Sequence, residues 1–343
     1  MFCQGWEFFK MGKNVAIAGV TGAVGQEFIS ILAERDFPID KLTVLASSRS
    51  VGKKVQFKGA EYIVSELTEK SFENVDIALF SAGGARSKQF APAAVEAGAI
   101  VVDNSSAFRM DPKVPLVIPE INPEAIARHN GIIANPNCST IIGIVPVWPL
   151  HKANPVKRMI VSTYQAASGA GQAAMLEMRQ QAEEILAGKP PTCNTLRYQL
   201  AFNLYNHDSP VGDNGYNEEE MKMVYETRKV FNCPDIAITC TCVRVPVMRA
   251  HGESINLEFT DPITPQQVRE LLSTAPGVEI MDDRQGNRFP MPIDASGKDD
   301  CMVGRIRQDE SIPDNRGINI WVVGDQLRKG AALNTVQIAE KLL

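Results

Sequence analysis

Residues 19–25 read Gly-Val-Thr-Gly-Ala-Val-Gly and lie between a short apolar run, Asn14–Gly19, and a segment with helical spacing of apolar residues, Gly25–Ala33. A strand, a glycine-rich turn and a helix in this order are typical of dinucleotide-binding sheets. Glycines permit the tight turn, and the positive end of the helix attracts a pyrophosphate. The spacing is GxxGxxG and not GxGxxG, which leaves a purely structural turn as the alternative. We interpret the stretch as a dinucleotide-binding turn.

The rest of the first third alternates short apolar runs with segments of helical spacing. Further strands are predicted at Leu42–Ala46, Val75–Phe80 and Ile100–Asp103, and a helix at Ser87–Ala97. Near-continuous apolar strands separated by helices indicate a parallel sheet covered on both faces. Such a sheet binds its ligand beyond the carboxyl ends of its strands.

After about Thr140 the predicted strands become longer and the helices fewer. The strands are Val156–Ala167, Ile236–Val247, Glu253–Phe259, Met302–Ile306 and Ile318–Val323, and the helices are Ala173–Leu186, Glu218–Val230 and Pro265–Ser273. This pattern indicates a mixed or antiparallel sheet with helices on one face. We therefore expect an α/β chain with a Rossmann-type parallel-sheet domain over residues 1–138, completed by an amphipathic helix in residues 329–343. A second α+β domain with a mixed sheet is expected over residues 139–328.

The composition excludes several classes of protein. Among 343 residues, 35 Lys and Arg stand against 40 Asp and Glu, which gives a formal net charge of −5. A nucleic-acid binder needs a basic excess or a basic face, and no basic run is visible. Apolar runs such as Ile141–Leu150 are too short to cross a bilayer, and Met1–Lys10 lacks the features of a signal peptide. We expect a cytoplasmic protein, with Met1–Lys10 as an extension or a translation-start artefact.

The cysteines are scattered along the chain, at Cys3, Cys138, Cys193, Cys233, Cys240, Cys242 and Cys301. No pair has zinc-ligand spacing, so we expect no metal site. Cys240 and Cys242 alternate along a strand-like run and are expected to pack as small apolar residues.

The end of the second predicted strand bears on the choice of cofactor. The chain there reads Ala46-Ser47-Ser48-Arg49-Ser50. An NAD enzyme usually carries an acidic residue at this place for the ribose 2′-hydroxyl, whereas an arginine among hydroxyl groups suits a 2′-phosphate. NADP is therefore favoured over NAD, with a solvated loop arginine as the alternative.

Cys138 follows a turn, Asn135-Pro136-Asn137, and precedes Ser139 and Thr140, which open a helix. A cysteine in the first turn of a helix lies near its positive end. We therefore expect the pKa of the thiol to fall below about 8.5, and helix N–H groups to be available for an oxyanion. Beside a hydride acceptor, such a thiolate suggests acyl chemistry through a thioester. A buried structural cysteine is the alternative.

A series of longer motifs runs along the chain. They are GVTGAVG at 19–25, SSRS at 47–50, SAGG at 81–84, DNSSAFRM at 103–110, NPNCST at 135–140, TYQAASGAG at 163–171, NEEEMK at 217–222, RVPVMRAHG at 244–252 and DQLRKGAALNTVQIAE at 325–340. With these motifs the chain resembles the bacterial aspartate-β-semialdehyde dehydrogenases from about Lys13 onward. So many matches in order are far more specific than any single motif.

The resemblance implies three catalytic residues. Cys138 would be the nucleophile, and Gln165 would orient the substrate or polarise its carbonyl through the side-chain amide. His251 would serve as acid or base, since imidazole titrates near neutral pH. A lone histidine is more often structural, and only the setting of His251 in the RVPVMRAHG motif favours the catalytic role.

The resemblance also implies the binding residues. Arg244 would bind the substrate carboxylate with its planar fork, Glu219 the substrate ammonium, and Arg109 and Lys222 the phosphate. An exposed, charged helix surface is the alternative for residues 218–222. Cofactor contacts are implied at Gly19, Thr21, Gly22, Ala23, Val24, Gly25, Arg49, Ser50, Ser168, Gly169 and Gln326.

The reaction implied is the reversible NADPH-dependent reductive dephosphorylation of L-aspartyl-4-phosphate to L-aspartate 4-semialdehyde, through a cysteine thioester. It would supply lysine, diaminopimelate, methionine, threonine and isoleucine, in an enzyme that forms homodimers or homotetramers across the second domain. One alternative is another acyl-phosphate reductase, of the N-acetyl-glutamyl-phosphate or glyceraldehyde-phosphate type. Another is a non-catalytic NADP-binding paralogue, against which the intact set Cys138, Gln165, Arg244 and His251 argues.

Overall fold

The computed structural model describes residues 12–343, so the expected extension Met1–Lys10 lies outside the described residues. The first part of the described chain contains β1 (Lys13–Ala18), α1 (Ala23–Glu34), β2 (Ile39–Ala46), β3 (Lys54–Phe57), β4 (Ala60–Ile63), β5 (Ser65–Glu66), β6 (Ile77–Phe80), α2 (Gly84–Glu96), β7 (Ile100–Asp103) and β8 (Ile132–Ala134). The strands and helices predicted in this part are present, with ends shifted by a few residues. The β3–β4 hairpin and the short strands β5 and β8 were not predicted.

All strands of this part except the hairpin form one parallel sheet, in the order β5-β2-β1-β6-β7-β8. Alternate residues of β1 enter two different hydrophobic clusters. Val15 and Ile17 pack in the cluster that includes α1, whereas Ala16 and Ala18 pack in the cluster that includes α2. The expectation of a parallel sheet covered on both faces is confirmed.

The glycine turn crosses the carboxyl edge of this sheet. Gly19 has a φ of +96°, and a Cβ atom on it would lie 2.3 Å from the carbonyl oxygen of Ser81, which follows β6. A Cβ atom on Gly25 would lie 2.3 Å from the carbonyl oxygen of Gly19. Glycine is required at both positions because the turn, the helix and the neighbouring strand approach each other more closely than a side chain allows.

The second part contains α3 (Cys138–Ala153), β9 (Val156–Gln165), α4 (Gln172–Leu186), β10 (Tyr205–Asn206), α5 (Glu218–Val230), β11 (Ala237–Arg244), β12 (His251–Phe259), α6 (Pro265–Leu272), β13 (Val278–Ile280), α7 (Pro292–Ala295), β14 (Cys301–Gln308), β15 (Gly317–Gly324) and α8 (Leu333–Glu340). Its strands form a sheet in the order β10-β11-β9-β12-β15-β14-β13. The β9–β11 and β13–β14 pairs are parallel and the other pairs antiparallel. The predicted mixed sheet is confirmed. Within residues 12–343, no helix has the length and apolar character needed to cross a membrane.

Helices α3, α5 and α6 cover one face of the mixed sheet. Met159 and Val161 of β9 point to this face and join its core. On the opposite face, Tyr164 is 40% exposed and packs edge-on against Trp321, with ring centroids 5.6 Å apart. This second face leaves the aromatic side chain of Tyr164 accessible.

The end of the chain returns to the first sheet, where Leu333 and Val336 of α8 join the core formed around β1 and α1. The sequence predicted one helix over Lys329–Leu342. The structure instead has a π-helical turn at Arg328–Ala332 followed by α8. The widened turn passes close to Cys138, because a Cβ atom on Gly330 would lie 2.9 Å from the Cβ of that cysteine. Interruptions of this kind are frequent at functional sites.

Candidate active site

A cavity of about 700 Å³ lies between the carboxyl edge of the first sheet and the mixed sheet. It is lined by two of the predicted catalytic residues, Cys138 and Gln165, and by the predicted substrate residues Arg109, Glu219, Lys222 and Arg244. The third predicted catalytic residue, His251, is fully buried and does not line the cavity. From the predicted cofactor set the cavity is lined by Gly22, Ala23, Val24, Ser168, Gly169 and Gln326. Residues far apart in sequence are thus brought to one place, as the carboxyl-edge rule predicts.

Cys138 is the first residue of α3, and Asn137 caps this helix. The side-chain oxygen of Asn137 accepts hydrogen bonds from the N–H groups of Ser139 at 3.0 Å and of Thr140 at 3.4 Å. The helix start predicted here is confirmed. The cap engages the N–H groups of Ser139 and Thr140, so of the N–H groups at the helix start these two are not available for an oxyanion.

The pKa of the Cys138 thiol is raised to about 12. Burial is the main cause, and the negative charge of Glu219 adds to it. Arg109 and Arg244 act in the opposite direction with smaller effect. The expectation of a low pKa was therefore wrong, because desolvation and a nearby carboxylate outweigh the effect of the helix end.

His251 lies behind the sulfur of Cys138, with its Nε2 atom 3.7 Å from Sγ. Its Nδ1 atom accepts a hydrogen bond from the main-chain N–H of Ala166 at 3.0 Å. Burial, and next the positive charge of Arg244, lower the pKa of His251 to about 3. The neutral ring has one hydrogen, and its hydrogen-bond partner assigns this hydrogen to Nε2. The imidazole therefore directs an N–H group at the sulfur.

Strand register places the predicted site residues side by side. Arg244, the last residue of β11, pairs with Gln165, the last residue of β9. Gly252 of β12 pairs with Tyr164, which by the same antiparallel register sets His251 beside Gln165. The three side chains therefore form one row across the ends of three strands, on the face that meets α3.

Gln165 connects this row to α5. Its amide nitrogen donates to Ser139 Oγ at 2.9 Å and to Glu219 Oε1 at 3.1 Å. Its amide oxygen is buried and makes no hydrogen bond to the protein. Buried polar atoms normally have a partner, so this oxygen is a candidate contact for a bound substrate.

Arg244 is a buried cation, only 4% exposed, and among the described residues it forms no salt bridge. Nη1 donates to the carbonyl oxygen of Ala166 at 2.9 Å, and Nη2 donates to Nε2 of His207 at 2.9 Å. Its Nε is buried with no partner. A buried charge is costly unless it is paired, and this one has only neutral protein partners.

Glu219 and Lys222 are three residues apart, lie on one face of α5 and form a salt bridge of 2.8 Å. Glu219 also accepts from the amide of Asn137 at 2.9 Å. Burial raises the pKa of Glu219, but the charge of Lys222 and the hydrogen bonds from Lys222 and Asn137 lower it, so its pKa lies well below the usual range. The carboxylate is therefore ionised at neutral pH.

Arg109 also lines the cavity, but its charge is already compensated. Its Nη1 pairs with Glu226 at 3.1 Å, and two further donors bind the carbonyl oxygens of Asn135 and Asn104. Glu226 in turn accepts the N–H of Asn137 at 2.5 Å. Arg109 thus supports the turn that leads to Cys138 as well as facing the cavity.

A second cavity, of about 430 Å³, lies against the glycine turn and the end of β2. Of the predicted cofactor residues it is lined by Gly19, Thr21, Gly22, Arg49 and Ser50. Two more cations, Lys53 and Arg86, line it, and none of its lining residues is acidic.

Three further predicted cofactor residues line the 700 Å³ cavity. The side chain of Gln326 donates to the hydroxyl of Ser168 and accepts the N–H of Ala250 at 2.8 Å. A Cβ atom on Gly169 would lie 3.1 Å from Nη1 of Arg244 and from the ring of His251. These three residues therefore lie between the predicted cofactor side of the cavity and the row formed by Arg244, Gln165 and His251.

Several residues that shape the site were not predicted, among them Asn137, Glu226, His207 and Gly330. Asn137 could have been found, because asparagine before a helix start is a capping signal. Glu226, His207 and Gly330 could not, since no local pattern distinguishes them from their neighbours and only the tertiary structure brings them to Arg109, Arg244 and Cys138, respectively.

Comparisons with known proteins identify the same family over nearly the whole chain. The family model for the semialdehyde dehydrogenase NAD binding domain matches residues 14–129, and that for the semialdehyde dehydrogenase dimerisation domain matches residues 147–329. The aspartate-semialdehyde dehydrogenase of Synechocystis sp. is 55% identical over 330 residues, covering 96% of this chain and 97% of that relative. That of Bacillus subtilis is 49% identical over 339 residues, covering 96% and 97%. The crystal structure of aspartate semialdehyde dehydrogenase II complexed with ASA from Vibrio cholerae matches with a TM-score of 0.94 and 48% identity, covering 97% of this chain and 98% of that one.

Proposed function

The chain belongs to the aspartate-semialdehyde dehydrogenase family, and from that premise we propose how its site performs the reversible, NADPH-dependent reductive dephosphorylation of L-aspartyl-4-phosphate to L-aspartate 4-semialdehyde. One observation carries the proposal: a thiol backed by an imidazole shares its cavity with a buried arginine that has no carboxylate partner among the described residues. A thiol can hold an acyl group, and an uncompensated cation can bind the carboxylate of a small acid. The products feed the synthesis of lysine, diaminopimelate, methionine, threonine and isoleucine.

Arg244 binds the substrate carboxylate. An arginine has five N–H groups, and the protein uses one on Nη1 and one on Nη2. The remaining donors, including the unpartnered Nε–H, are free for an anion. Binding a carboxylate also relieves the cost of the buried charge, so the site favours an anionic substrate over a neutral one.

Glu219 binds the substrate ammonium, because it is ionised and lines the same cavity. Lys222 and Arg109 bind the phosphate. Lys222, with 29% of its side chain exposed, is the more accessible of the two cations, since Arg109 is held by Glu226. On phosphate binding, Lys222 can share its charge between Glu219 and the phosphate oxygens.

In the direction of aldehyde oxidation the sulfur of Cys138 adds to the aldehyde carbon and the thiol proton passes to the aldehyde oxygen, which gives a hemithioacetal. The hemithioacetal becomes a thioester when its carbon loses a hydride and its hydroxyl group loses a proton to water. The nicotinamide, when bound, exchanges a hydride with the carbon attached to the sulfur. His251 directs its Nε2–H toward the sulfur and can donate a hydrogen bond to the substrate oxygen as the carbon–sulfur bond forms. Gln165 orients the substrate with its amide. Inorganic phosphate then attacks the thioester and releases Cys138.

The cavity beside the glycine turn fits a nicotinamide dinucleotide, and we propose NADP specifically. Gly19, Gly22 and Gly25 form the pyrophosphate turn at the start of α1, with Thr21, Ala23 and Val24. Arg49 and Ser50 bind the 2′-phosphate, supported by the cations that share the cavity and by its lack of an acidic lining residue. Ser168, Gly169 and Gln326 contact the nicotinamide end. In this proposal residues 1–138 and 329–343 bind the cofactor, and residues 139–328 supply the catalytic and dimerisation domain.

We propose that the protein is a homodimer, or a homotetramer built from dimers, joined through the face of the mixed sheet that carries Tyr164 and Trp321. This face is accessible and aromatic, and it belongs to the part of the chain that matches the dimerisation-domain model. A cytoplasmic site of action is supported by the free thiols of the six cysteines within the described residues.

The test is a spectrophotometric assay of NADP reduction with aspartate semialdehyde and inorganic phosphate, with NAD run in parallel. We expect a reaction that stops when phosphate is omitted and that NADP supports better than NAD. Cys138→Ala should lose turnover by several orders of magnitude at near-normal NADP binding. Reduction that continues at the same rate without phosphate, or in the Cys138→Ala variant, would contradict the thioester route.

A further inference from the structure

His207 lies in the cavity next to Arg244, in the long connection between α4 and α5. Its Nε2 atom is 2.9 Å from Nη2 of Arg244. A guanidinium has only donors, so Nε2 must be the acceptor and must carry no hydrogen. The contact with Arg244 therefore places the single hydrogen of the neutral ring on Nδ1, where the hydroxyl oxygen of Ser209, 3.1 Å away, can accept it. The main-chain N–H of Ser209 also approaches Nδ1, at 3.2 Å, and competes with the hydroxyl for this atom.

The main chain fixes His207 in this position. The preceding strand β10 pairs with the end of β11, with Tyr205 opposite Arg244. The N–H of His207 donates to the carbonyl oxygen of Cys242 at 2.8 Å, and its own carbonyl oxygen accepts from the amide of Asn217 at 3.3 Å. The main chain of His207 is thus held by hydrogen bonds to β11 and to the residue that caps α5.

The long connection itself is anchored to α4. The carboxylate of Glu177 accepts the N–H groups of Asn194, Thr195 and Leu196 at 2.6–2.9 Å, and Gln181 accepts those of Leu200 and Ala201. These buried contacts hold the segment that delivers His207.

The chemical character of His207 matters as much as its position. A carboxylate at this place would pair with Arg244 and neutralise the charge that the substrate needs. A neutral acceptor instead orients the guanidinium and leaves its charge unpaired. Burial lowers the pKa of His207, although the nearby Glu219 raises it, so the ring is in the neutral form that this contact requires.

We propose that His207 is a positioning residue that holds the guanidinium of Arg244 in the orientation that receives the substrate carboxylate, and so sets the affinity for the semialdehyde. The inference rests on the proposed function, because it assigns the anion on Arg244 to the substrate. It adds a specificity element that acts through Arg244 and not by contact with the reacting atoms.

The test compares three substitutions of similar size: His207→Gln, which keeps a neutral acceptor, His207→Met, which removes it, and His207→Glu, which supplies a competing anion. The measurements are the KM for aspartate semialdehyde, the KM for NADP and kcat, with the remote His129→Gln as control. We expect His207→Gln to stay within about threefold of the wild-type semialdehyde KM. His207→Met should raise that KM about tenfold or more, the effect of one hydrogen bond to a charged group, and His207→Glu should raise it further.

The KM for NADP should change little in all three variants, which also shows that they fold. Wild-type semialdehyde KM values for His207→Met and His207→Glu would overturn the inference, as would an equal increase in all three variants. The proposed function is judged separately: if the wild-type protein shows no phosphate-dependent NADP reduction with aspartate semialdehyde, that function fails whatever the variants do.

Discussion

The Nε2 atom of His251 lies 3.7 Å from the sulfur of Cys138, and the opposite nitrogen of the same ring is occupied by a main-chain N–H group. With the pKa of the thiol raised to about 12 and that of the imidazole lowered to about 3, both groups are neutral in the ligand-free site. The site therefore differs from an ion pair of thiolate and imidazolium.

The first prediction concerns the alkylation of Cys138 by iodoacetamide without ligands. The thiolate is the reactive form, so below the raised pKa the rate should increase about tenfold per pH unit throughout pH 6–9. Peptide mass spectrometry gives the rate at Cys138 alone, and a short cysteine peptide, which levels off near its pKa of about 8.5, is the control. A rate at Cys138 that is already constant above pH 7 would show a thiolate in the resting site.

The second prediction concerns Arg244→Lys. A lysine retains the charge but loses the planar fork and the contacts to Ala166 and His207. We expect the KM for aspartate semialdehyde to rise by about 10–100-fold, as for one or two lost charged hydrogen bonds, with the KM for NADP nearly unchanged. An unaltered semialdehyde KM would remove Arg244 from substrate binding.

The third prediction concerns Arg49→Ala. If Arg49 binds the 2′-phosphate, its removal should raise the KM for NADP by about tenfold or more and leave the KM for NAD unchanged, because NAD lacks that phosphate. Arg128→Ala is the control, since Arg128 is exposed and precedes β8, away from the carboxyl edge. Equal effects on NADP and NAD would indicate a general loss of cofactor binding.

Glu253 is an unusual core residue directly behind the catalytic row. It pairs with Thr163 across β12 and β9, two residues from His251, and it is 0% exposed. Neither carboxyl oxygen has a hydrogen-bond partner, and a Cβ atom on Gly143 of α3 would lie 2.5 Å from one of them. Burial raises the pKa of Glu253 well above its ordinary value.

The fourth prediction concerns the stability of Glu253→Gln. In the unfolded chain a glutamate loses its proton near pH 4.3, whereas in the folded protein this residue keeps it to higher pH. The stabilising effect of the raised pKa is therefore complete below about pH 4.3 and is lost as the pH rises toward the folded pKa, at about 1.4 kcal/mol per unit. The glutamine variant should gain stability over wild type as the pH increases from 5.5 to 8, measured by urea unfolding at fixed protein concentration. A constant difference between the two proteins would contradict a protonated Glu253.

Much of the fold could be predicted because the signals are local. The strand Ile100–Asp103 and the helix Glu218–Val230 have the predicted ends, since both depend on an apolar pattern bounded by turn or capping residues. The C-terminal helix was predicted as continuous, and its π-helical start was missed because it depends on the close approach of Gly330 to Cys138, which no local pattern reports.

The candidate site likewise has features that could be predicted from the sequence and features that could not. The sequence by itself determined the two kinds of sheet and the glycine turn at the start of α1, because spacing and residue chemistry are properties of neighbours along the chain. The roles predicted for Cys138, Arg244 and His251 came from the resemblance of whole motifs to a family. Only the tertiary structure decided the charge state of Cys138, the pairing of Arg109 with Glu226 and the contact of His207 with Arg244. Those depend on desolvation and on distances between residues far apart in sequence, which exist only once the two sheets have packed around the cavity.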